Sequence, residues 1–366
     1  MNTSDITAPG DTPSATPNLE TARVAFSTFL QRHCHIAAKK PTDAHVVALH
    51  DVDADGVAAG VVWQRACERM GVADVQRVVP DRERNAWTPS SRERVAAANP
   101  GALFVLDLGS QSAPVIEGVP TCFIDHHRPE GVPPGDTLIS AYTWEPIPNT
   151  SLMIYDLCTP LVDISDLDWI AAIGTLSDLG ERAPFELMAG AKKKYTAKYL
   201  KEATTLVNAI RRSSQPDPEI AAQALLTHSS PRELVHASTR EVEQLRAARE
   251  EVKAALEEGK KAAPVFAGQV ALIRVHSPCQ IHPLIAQIWR TRLPKYIVIA
   301  ANDKYLPGRV NFSARAPQGT NVLQFLRSIE LSDGEGNYGH GHDQASGGSL
   351  PIERWNELLQ KLGFAL

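Results

Sequence analysis

Four clusters of acids and histidines along the chain have the residue types and spacing to hold metal ions. They are Asp51-Val52-Asp53-Ala54-Asp55-Gly56, Asp107 in Val105-Leu106-Asp107-Leu108-Gly109, Asp125-His126-His127, and Asp178 in Gly174-Thr175-Leu176-Ser177-Asp178. Carboxylate oxygens suit hard divalent cations, and imidazole shifts the preference toward manganese, iron or zinc. Alternating aspartates after a strand let two carboxylates reach one site, and Gly56 lets the backbone turn tightly into a following helix. An oxygen-rich site with two cations a few ångströms apart suits in-line phosphoryl transfer: one metal activates a water, and both neutralise charge on the phosphate. Taken singly, each cluster has a blander reading. An aspartate after a strand is commonly a turn former or helix cap, and a histidine pair is ambiguous. The ordered set of four in one domain carries the argument.

The elements that must position these residues alternate. The apolar run His45–Leu49 ends in acids and is followed by a helical stretch, Val57–Met70. Short β-rich runs recur at Val75–Val79, Leu103–Leu106 and Cys122–Ile124, with a helical segment at Ser91–Ala98. Such alternation predicts an α/β domain with a mainly parallel sheet. Ligands then gather at the C-terminal ends of the strands, and all four clusters are expected at such ends. Ahead of this domain, residues 1–18 lack apolar periodicity and read as a flexible tail, and Leu19–Ala38 reads as a helix. From Ala189 to Ala263 the pattern is almost wholly helical, with Arg240–Lys261 a long, solvated connecting helix. A second α/β pattern follows: strand Val265–Val275, helix Pro283–Arg292, strands Tyr296–Ala301 and Arg309–Ala314, and helix Asn321–Ser328. A glycine-rich loop, Gly334–Gly348, and a terminal helix, Ile352–Leu362, complete it.

Composition narrows the function classes. Apolar residues make up 43% and charged residues 22% of the 366, the balance of a folded globular protein rather than a disordered one. No apolar run approaches the roughly 18–20 residues that span a bilayer, and the Thr- and Pro-rich N-terminus lacks the apolar core of a signal peptide; a cytoplasmic address is expected, with no membrane partner. The net charge of −5 argues against a broad grip on duplex DNA, which calls for a basic surface. Cys34, Cys67, Cys122, Cys158 and Cys279 lack paired spacing and are expected to be reduced, inert thiols.

The order D-x-D-G, strand-end Asp, D-H-H and G-T-x-x-D resembles the four motifs of the DHH phosphoesterases, named for the triplet that is Asp125-His126-His127 here. Asn311-Phe312-Ser313-Ala314-Arg315 and the stretch Gly339 to Gly348 are similar to the S-x-R and G-G-H-x-x-A-x-G elements of the DHH-associated domain. The resemblance spans about residues 45–350. It implies a catalytic domain over residues 19–190, a helical connector over 191–262, and a smaller α/β substrate-binding domain over 263–366. It also implies a two-metal site for manganese, with magnesium or cobalt as substitutes. By the same resemblance Asp107 would bridge the ions, Asp55, His126 and Asp178 would complete one site, and Asp53 would serve the other, while His127 would lie by the scissile phosphate as an acid/base partner, with Asp125 orienting a neighbour. Asp51 stands where many members carry histidine, which leaves its metal site hard and oxygen-rich.

That departure is shared with the RecJ exonucleases. Val79-Pro80-Asp81-Arg82 is similar to their segment ending in a phosphate-binding arginine, and Asn208-Ala209-Ile210-Arg211-Arg212 resembles an Asn-Ala-x-Gly-Arg stretch, with Arg211 in place of glycine. The resemblance implies that Arg82, Arg212, Ser313 and Arg315, with Gly341 and His342 of the glycine-rich loop, gather around substrate phosphate. The expected substrate is a single-stranded DNA or RNA oligonucleotide, cut from the 5′ end, or a small nucleotide. No segment is expected beyond Leu366 for the OB-fold of long RecJ proteins, which makes the chain comparable in size to nano-RNases and pAp phosphatases. Those activities, a cyclic-dinucleotide phosphodiesterase, and a catalytically silent RecJ-like replication factor are the competing readings. Against the last, the metal-ligand set is intact. Among the remaining features, His33-Cys34-His35 lacks partners at ligand spacing, Lys192-Lys193-Lys194 reads as a solvated helix face, and Trp87 reads equally as a base-stacking platform or a loop anchor.

Overall fold

The computed structural model describes residues 16–34, 42–332, 337–342 and 344–365; most of the expected N-terminal tail, His35 and Asp343 lie outside the described residues. The first half alternates as its apolar pattern predicts through α1 (Leu19–His33), β1 (Thr42–His50), α2 (Ala54–Arg69), β2 (Val72–Val78), α3 (Pro89–Ala97), β3 (Ala102–Leu106) and β4 (Thr121–Asp125), and then adds β5 (Thr137–Ser140), α4 (Thr150–Cys158) and α5 (Asp168–Leu179). The five strands form one parallel sheet in the order β2-β1-β3-β4-β5. Every residue of β3 and β4 is buried, as befits strands covered by helices on both faces. On one face Val47, Leu49, Leu103, Val105 and Phe123 pack with Val95 and Val115. On the other, Phe104 meets Phe26, Phe29 and Trp63 from α1 and α2 at ring separations of 5.1–6.1 Å. Burying each of these large side chains contributes roughly 1.5–3 kcal/mol.

The chain leaves β1 toward β2 on one side and returns to β3 on the other, so the order reverses between β1 and β3. A crevice forms at the C-terminal ends of strands at such a switch point. Parallel pairing matches His50 with Leu106 and Leu106 with Ile124, and the ladder continues one step as Asp51 N donates to Leu106 O and Asp107 N to Ile124 O. Asp51, Asp107 and Asp125 therefore end their strands side by side.

Helices α6 (Glu186–Tyr195), α7 (Ala197–Arg212), α8 (Pro218–Thr227), α9 (Pro231–His236) and α10 (Arg240–Gly259) follow. The expectation of a solvated helix at Arg240–Lys261 needs correction. Charged i,i+3 pairs such as Glu243–Arg246 and Glu257–Lys260 line it, but Val242, Leu245, Ala248 and Val252 are buried at helical spacing, so one stripe packs. The rest comprises β6 (Val265–Ala267), β7 (Val270–Val275), α11 (His282–Arg292), β8 (Ile297–Asn302), β9 (Arg309–Arg315), α12 (Val322–Arg327), β10 (Asn337–His342), β11 (Ala345–Pro351) and α13 (Ile352–Lys361). Six strands form a mixed sheet in the order β10-β11-β9-β8-β7-β6, in which β7 and β8 alone are parallel. Two expectations change here. Val265–Val275 is a hairpin turning at Gly268, whose φ of 53° admits the reversal. The described part of the glycine-rich segment is the β10–β11 hairpin rather than a loop.

The chain divides into two compact units, Met1–Asn208 with Pro218–Val242, and Ala209–Asp217 with Glu243–Leu366. In the second unit Leu272, Ile299 and Phe312 pack beneath Trp355 and Leu358 of α13 on one face of the sheet. Ile273, Val298 and Ala300 pack beneath Ile285 and Ala286 of α11 on the other.

Candidate metal centre

At the C-terminal edge of the parallel sheet the acids and histidines converge. His126 Nε2 lies 3.3 Å from Asp107 Oδ1, 3.4 Å from Asp178 Oδ2 and 4.0 Å from Asp55 Oδ2. Ligand atoms of three sets each lie within 4.8 Å of one another: Asp55, His126 and Asp178; Asp107, Asp125, His126 and His127; and Asp51, Asp53 and Asp107. All eight candidate metal-site and catalytic residues are thus brought together. One placement corrects the sequence expectation: Asp178 lies near the end of helix α5, not at a strand end. The run Trp169–Ile173 before it is apolar because that part of the helix is buried on every side.

Local sequence explains the convergence. Asp53 caps α2, its Oδ1 accepting from Asp55 N and Gly56 N, and this sends Asp55 into the first turn. A Cβ on Gly56 would lie 2.5 Å from Asp51 O, so only glycine lets the helix start this close to the strand end. Asn208 also holds that start, its Oδ1 accepting from Ala54 N and its Nδ2 donating to Ser177 Oγ. The Asp55 carboxylate sits on the N-terminus of α4, accepting from Thr150 N at 2.9 Å, Ser151 N at 2.8 Å and Asn149 Nδ2. Free amides and the dipole of a helix start favour an anion there. Thr175 Oγ1 donates to Asn149 Oδ1, and a Cβ on Gly174 would meet Ser151 Oγ at 2.1 Å and Asp55 Oδ1 at 2.9 Å. The Gly-Thr of the fourth cluster therefore serves the clamp on Asp55. Asn149, Thr150 and Ser151 were missed by sequence reasoning; the signal available was an Asn-Thr-Ser run opening a helix.

Asp107 has a φ of 63°, left-handed backbone that is uncommon outside glycine and costs on the order of 1–3 kcal/mol. This bend carries its carboxylate to His126 and to Thr150 Oγ1, which donates at 3.1 Å. Asp125 Oδ1 binds His127 twice, accepting from its backbone N at 2.6 Å and pairing with its ring Nδ1 at 2.7 Å, and Oδ2 accepts from Gly109 N.

The electrostatics show a cluster short of positive charge. Burial and the neighbouring Asp53 carboxylate push Asp55 up to about 6, against hydrogen bonds from Ser151 and Thr150. Asp107 is driven well above the usual carboxylate range by burial and by the charges of Asp55, Asp53, Asp178 and Asp125. Burial opposes ionisation of Asp125, but His127 outweighs it and holds Asp125 far below its ordinary value. Burial likewise disfavours imidazolium at His127, and Asp125 overcomes it, pushing His127 up to about 9. Crowded carboxylates with an imidazole at 3.3–4.0 Å are the donor set for a divalent cation, and Asp55, Asp107, His126 and Asp178 fit one.

The third set already contacts a cation. Arg84 Nε donates to Asp51 Oδ1 at 2.8 Å, and its Nη2 donates to Asp51 Oδ2 and to Asp53 Oδ2 at 3.0 Å. Sequence reasoning missed Arg84, whose one signal was its place two residues past Arg82. Arg82 itself is exposed on the same turn. Trp87 is a loop anchor: its Nε1 donates to Ala113 O at 2.7 Å and its ring stacks on Phe123 at 6.2 Å. All five cysteines are free and buried, and burial raises their thiols.

The second unit holds the other predicted residues. Alternation along β9 puts Val310, Phe312 and Ala314 into the core and Asn311, Ser313 and Arg315 on the opposite face. Arg212 O accepts from Gln280 N just before α11. Burial and the charges of Arg315 and Arg212 push His282, the first residue of α11, down to about 3. Arg212, His282 and Arg315 are thus electrostatic neighbours, and His282, missed in the sequence, is neutral. Among the described residues, its Nδ1 and Asn311 Oδ1 are buried with no hydrogen-bond partner. Gly341 and His342 lie on β10, two strands from β9; their side chains fall outside the described residues.

The N-terminal domain model of the DHH family matches residues 45–176, which contain every candidate metal-site residue except Asp178. No curated protein matches the chain. A crystal structure of exonuclease RecJ bound to manganese shares 17% identity over 96% of this chain and 95% of its own, with a TM-score of 0.65. RecJ from Thermus thermophilus, in complex with Mn2+, shares 18% over 96% of this chain with a TM-score of 0.68, and this chain spans 55% of its length. A DHH domain from a member of the s1p family of ribosomal proteins shares 13% over 96% of this chain and 93% of its own, with a TM-score of 0.68. These likenesses show a common fold. With the acids and histidines gathered at one site, residues 45–176 of this chain match the N-terminal domain of the DHH family.

Proposed function

We propose that the chain is a manganese-dependent phosphoesterase that hydrolyses single-stranded nucleic acid from its 5′ end. The observation that carries this reading is the meeting of His126 with Asp55, Asp107 and Asp178 at the strand ends. Bound divalent ions supply Lewis acidity and an activated water. The chain's own residues do the rest. The α4 clamp fixes Asp55 so that its oxygens are held before a ligand arrives, and the bend at Asp107 aims a carboxylate at the same point. Asp125 fixes the orientation of His127, whose imidazolium then donates a proton or a hydrogen bond to the phosphate or leaving oxygen. In the second unit Arg212, Ser313 and Arg315, joined by His282, form an end-recognition group. Guanidinium forks pair bidentately with phosphate oxygens, and His282 Nδ1 and Asn311 Oδ1, which have no hydrogen-bond partner among the described residues, offer further polar contacts.

Among the described residues no helix is long and apolar enough to cross a membrane. From the clustered acids and histidines we infer a nucleotide or oligonucleotide as the partner. Incubation with manganese and a panel of 5′-phosphorylated and 5′-hydroxyl single strands, dinucleotides, pAp and cyclic dinucleotides tests this, with products resolved by length. Mononucleotides should leave from phosphorylated 5′ ends. Strands shortened from the 3′ end, or an unchanged rate after removal of the 5′-phosphate, rule out the polarity and favour the nano-RNase or small-nucleotide reading.

A further inference from the structure

The carboxylates of Asp51, Asp53 and Asp107 lie within 4.8 Å of one another, and the cation among them belongs to the chain itself. Arg84 spreads its fork over both oxygens of Asp51 and reaches Asp53 with the same Nη2. The backbone is built to deliver it. Arg84 has a φ of 57°, a left-handed conformation that long side chains rarely adopt and that persists only where the surroundings enforce it. The enforcement is visible. Arg84 N donates to Asp81 O, Glu83 N to Asp81 Oδ1, and Thr88 Oγ1 to Asp81 Oδ2 at 2.6 Å, while Ser91 Oγ receives Asp81 N. Asp81, Thr88 and Ser91 thus lock a turn that aims Arg84 at the trio.

We propose that Arg84 is the resident cation of the Asp51–Asp53–Asp107 group. The protein then holds one divalent ion tightly, through Asp55, Asp107, His126 and Asp178, and binds a second only by displacing Arg84. The guanidinium donates into the carboxylate oxygens that a second ion would need, and a charge-assisted bidentate pair is among the stronger polar contacts in proteins. A guanidinium and a second divalent ion competing for the same Asp51 and Asp53 oxygens also repel, so the two cannot both hold them. Arg84 thereby sets the metal stoichiometry and makes the second ion dependent on concentration. This inference rests on the metal-dependent reading above.

Calorimetric titration of the metal-free, full-length protein with Mn2+, with free ion counted by electron paramagnetic resonance, tests it without any activity assay. The wild type should show one tight site and a second at least tenfold weaker. Arg84→Gln, which keeps the side-chain length and removes the charge, and Arg84→Ala should each tighten the second site tenfold or more, with the fold verified by circular dichroism. Two wild-type sites of comparable affinity overturn the inference while leaving the metal-dependent reading intact, and that result needs no variant. Folded variants with unchanged second-site affinity overturn it as well. A wild-type protein that binds no manganese overturns the metal reading itself.

Discussion

Asp107 occupies a position that an ordinary side chain resists, with φ at 63° and its carboxylate against His126 and Thr150. Asparagine tolerates left-handed backbone better than most residues, so Asp107→Asn removes the charge without repacking the turn. It should abolish at least 99% of hydrolysis at unchanged melting temperature; near wild-type turnover would refute Asp107 as the shared ligand. The two histidines should separate. His126→Ala is expected to lose manganese affinity, whereas His127→Ala should keep it and lose turnover by about 100- to 10,000-fold, the usual worth of a positioned acid/base group; equal affinity losses by calorimetry would count against this division. These residues were legible in the sequence because each acid follows an apolar run within a motif. Asn149, Thr150, Ser151 and Arg84 were not, because a clamp made by a helix N-terminus and a fork made by a strained turn leave no fixed spacing from the acids they serve.

Among the elements, the close approaches that build the centre are made by glycines. Gly174→Ala drives a methyl into Ser151 and Asp55 on the neighbouring helix start, and overpacking of this kind costs typically about 1–3 kcal/mol. The variant should melt earlier and lose activity more than stability, since the displaced group is a proposed ligand. Gly60→Ala offers a contrast. Its Cβ would lie 2.4 Å from the buried His50 ring, so it should destabilise by a similar amount; a Gly60→Ala protein with an unaltered denaturant midpoint would show that α2 has room to shift. The parallel strands were readable because strands buried on both faces are continuous apolar runs. Asp178 was expected at a strand end for the same reason: the run Trp169–Ile173 before it is apolar throughout, and periodicity cannot separate a buried strand from a buried helix. The β10–β11 hairpin escaped notice because Gly339 to Gly348 carries no alternation of apolar and polar residues.

On the scale of the whole molecule, the net charge of −5 leaves positive charge concentrated in local groups, and the second unit holds one around Arg212, His282 and Arg315. Its predicted effect is on recognition. Arg315→Ala should raise the KM for 5′-phosphorylated strands by roughly 10- to 150-fold, the equivalent of one charge-assisted bond of about 1.5–3 kcal/mol, and change that for 5′-hydroxyl strands far less; equal losses on both would indicate general weakening rather than end recognition. The second α/β pattern was visible in the sequence, and Ser313 and Arg315 were found through their motif. His282 was missed because its neighbours Arg212 and Arg315 come from distant segments. The central claim is that the clustered acids and histidines cleave phosphoesters with the help of divalent metal. Its most direct test is the hydrolysis rate of a 5′-phosphorylated single strand as manganese is added to metal-free protein, for the wild type and Asp107→Asn side by side. The account predicts a rate that rises from zero to saturation in the wild type and stays within 1% of zero in the variant. Hydrolysis that is independent of manganese, or equal in the two proteins, would contradict it.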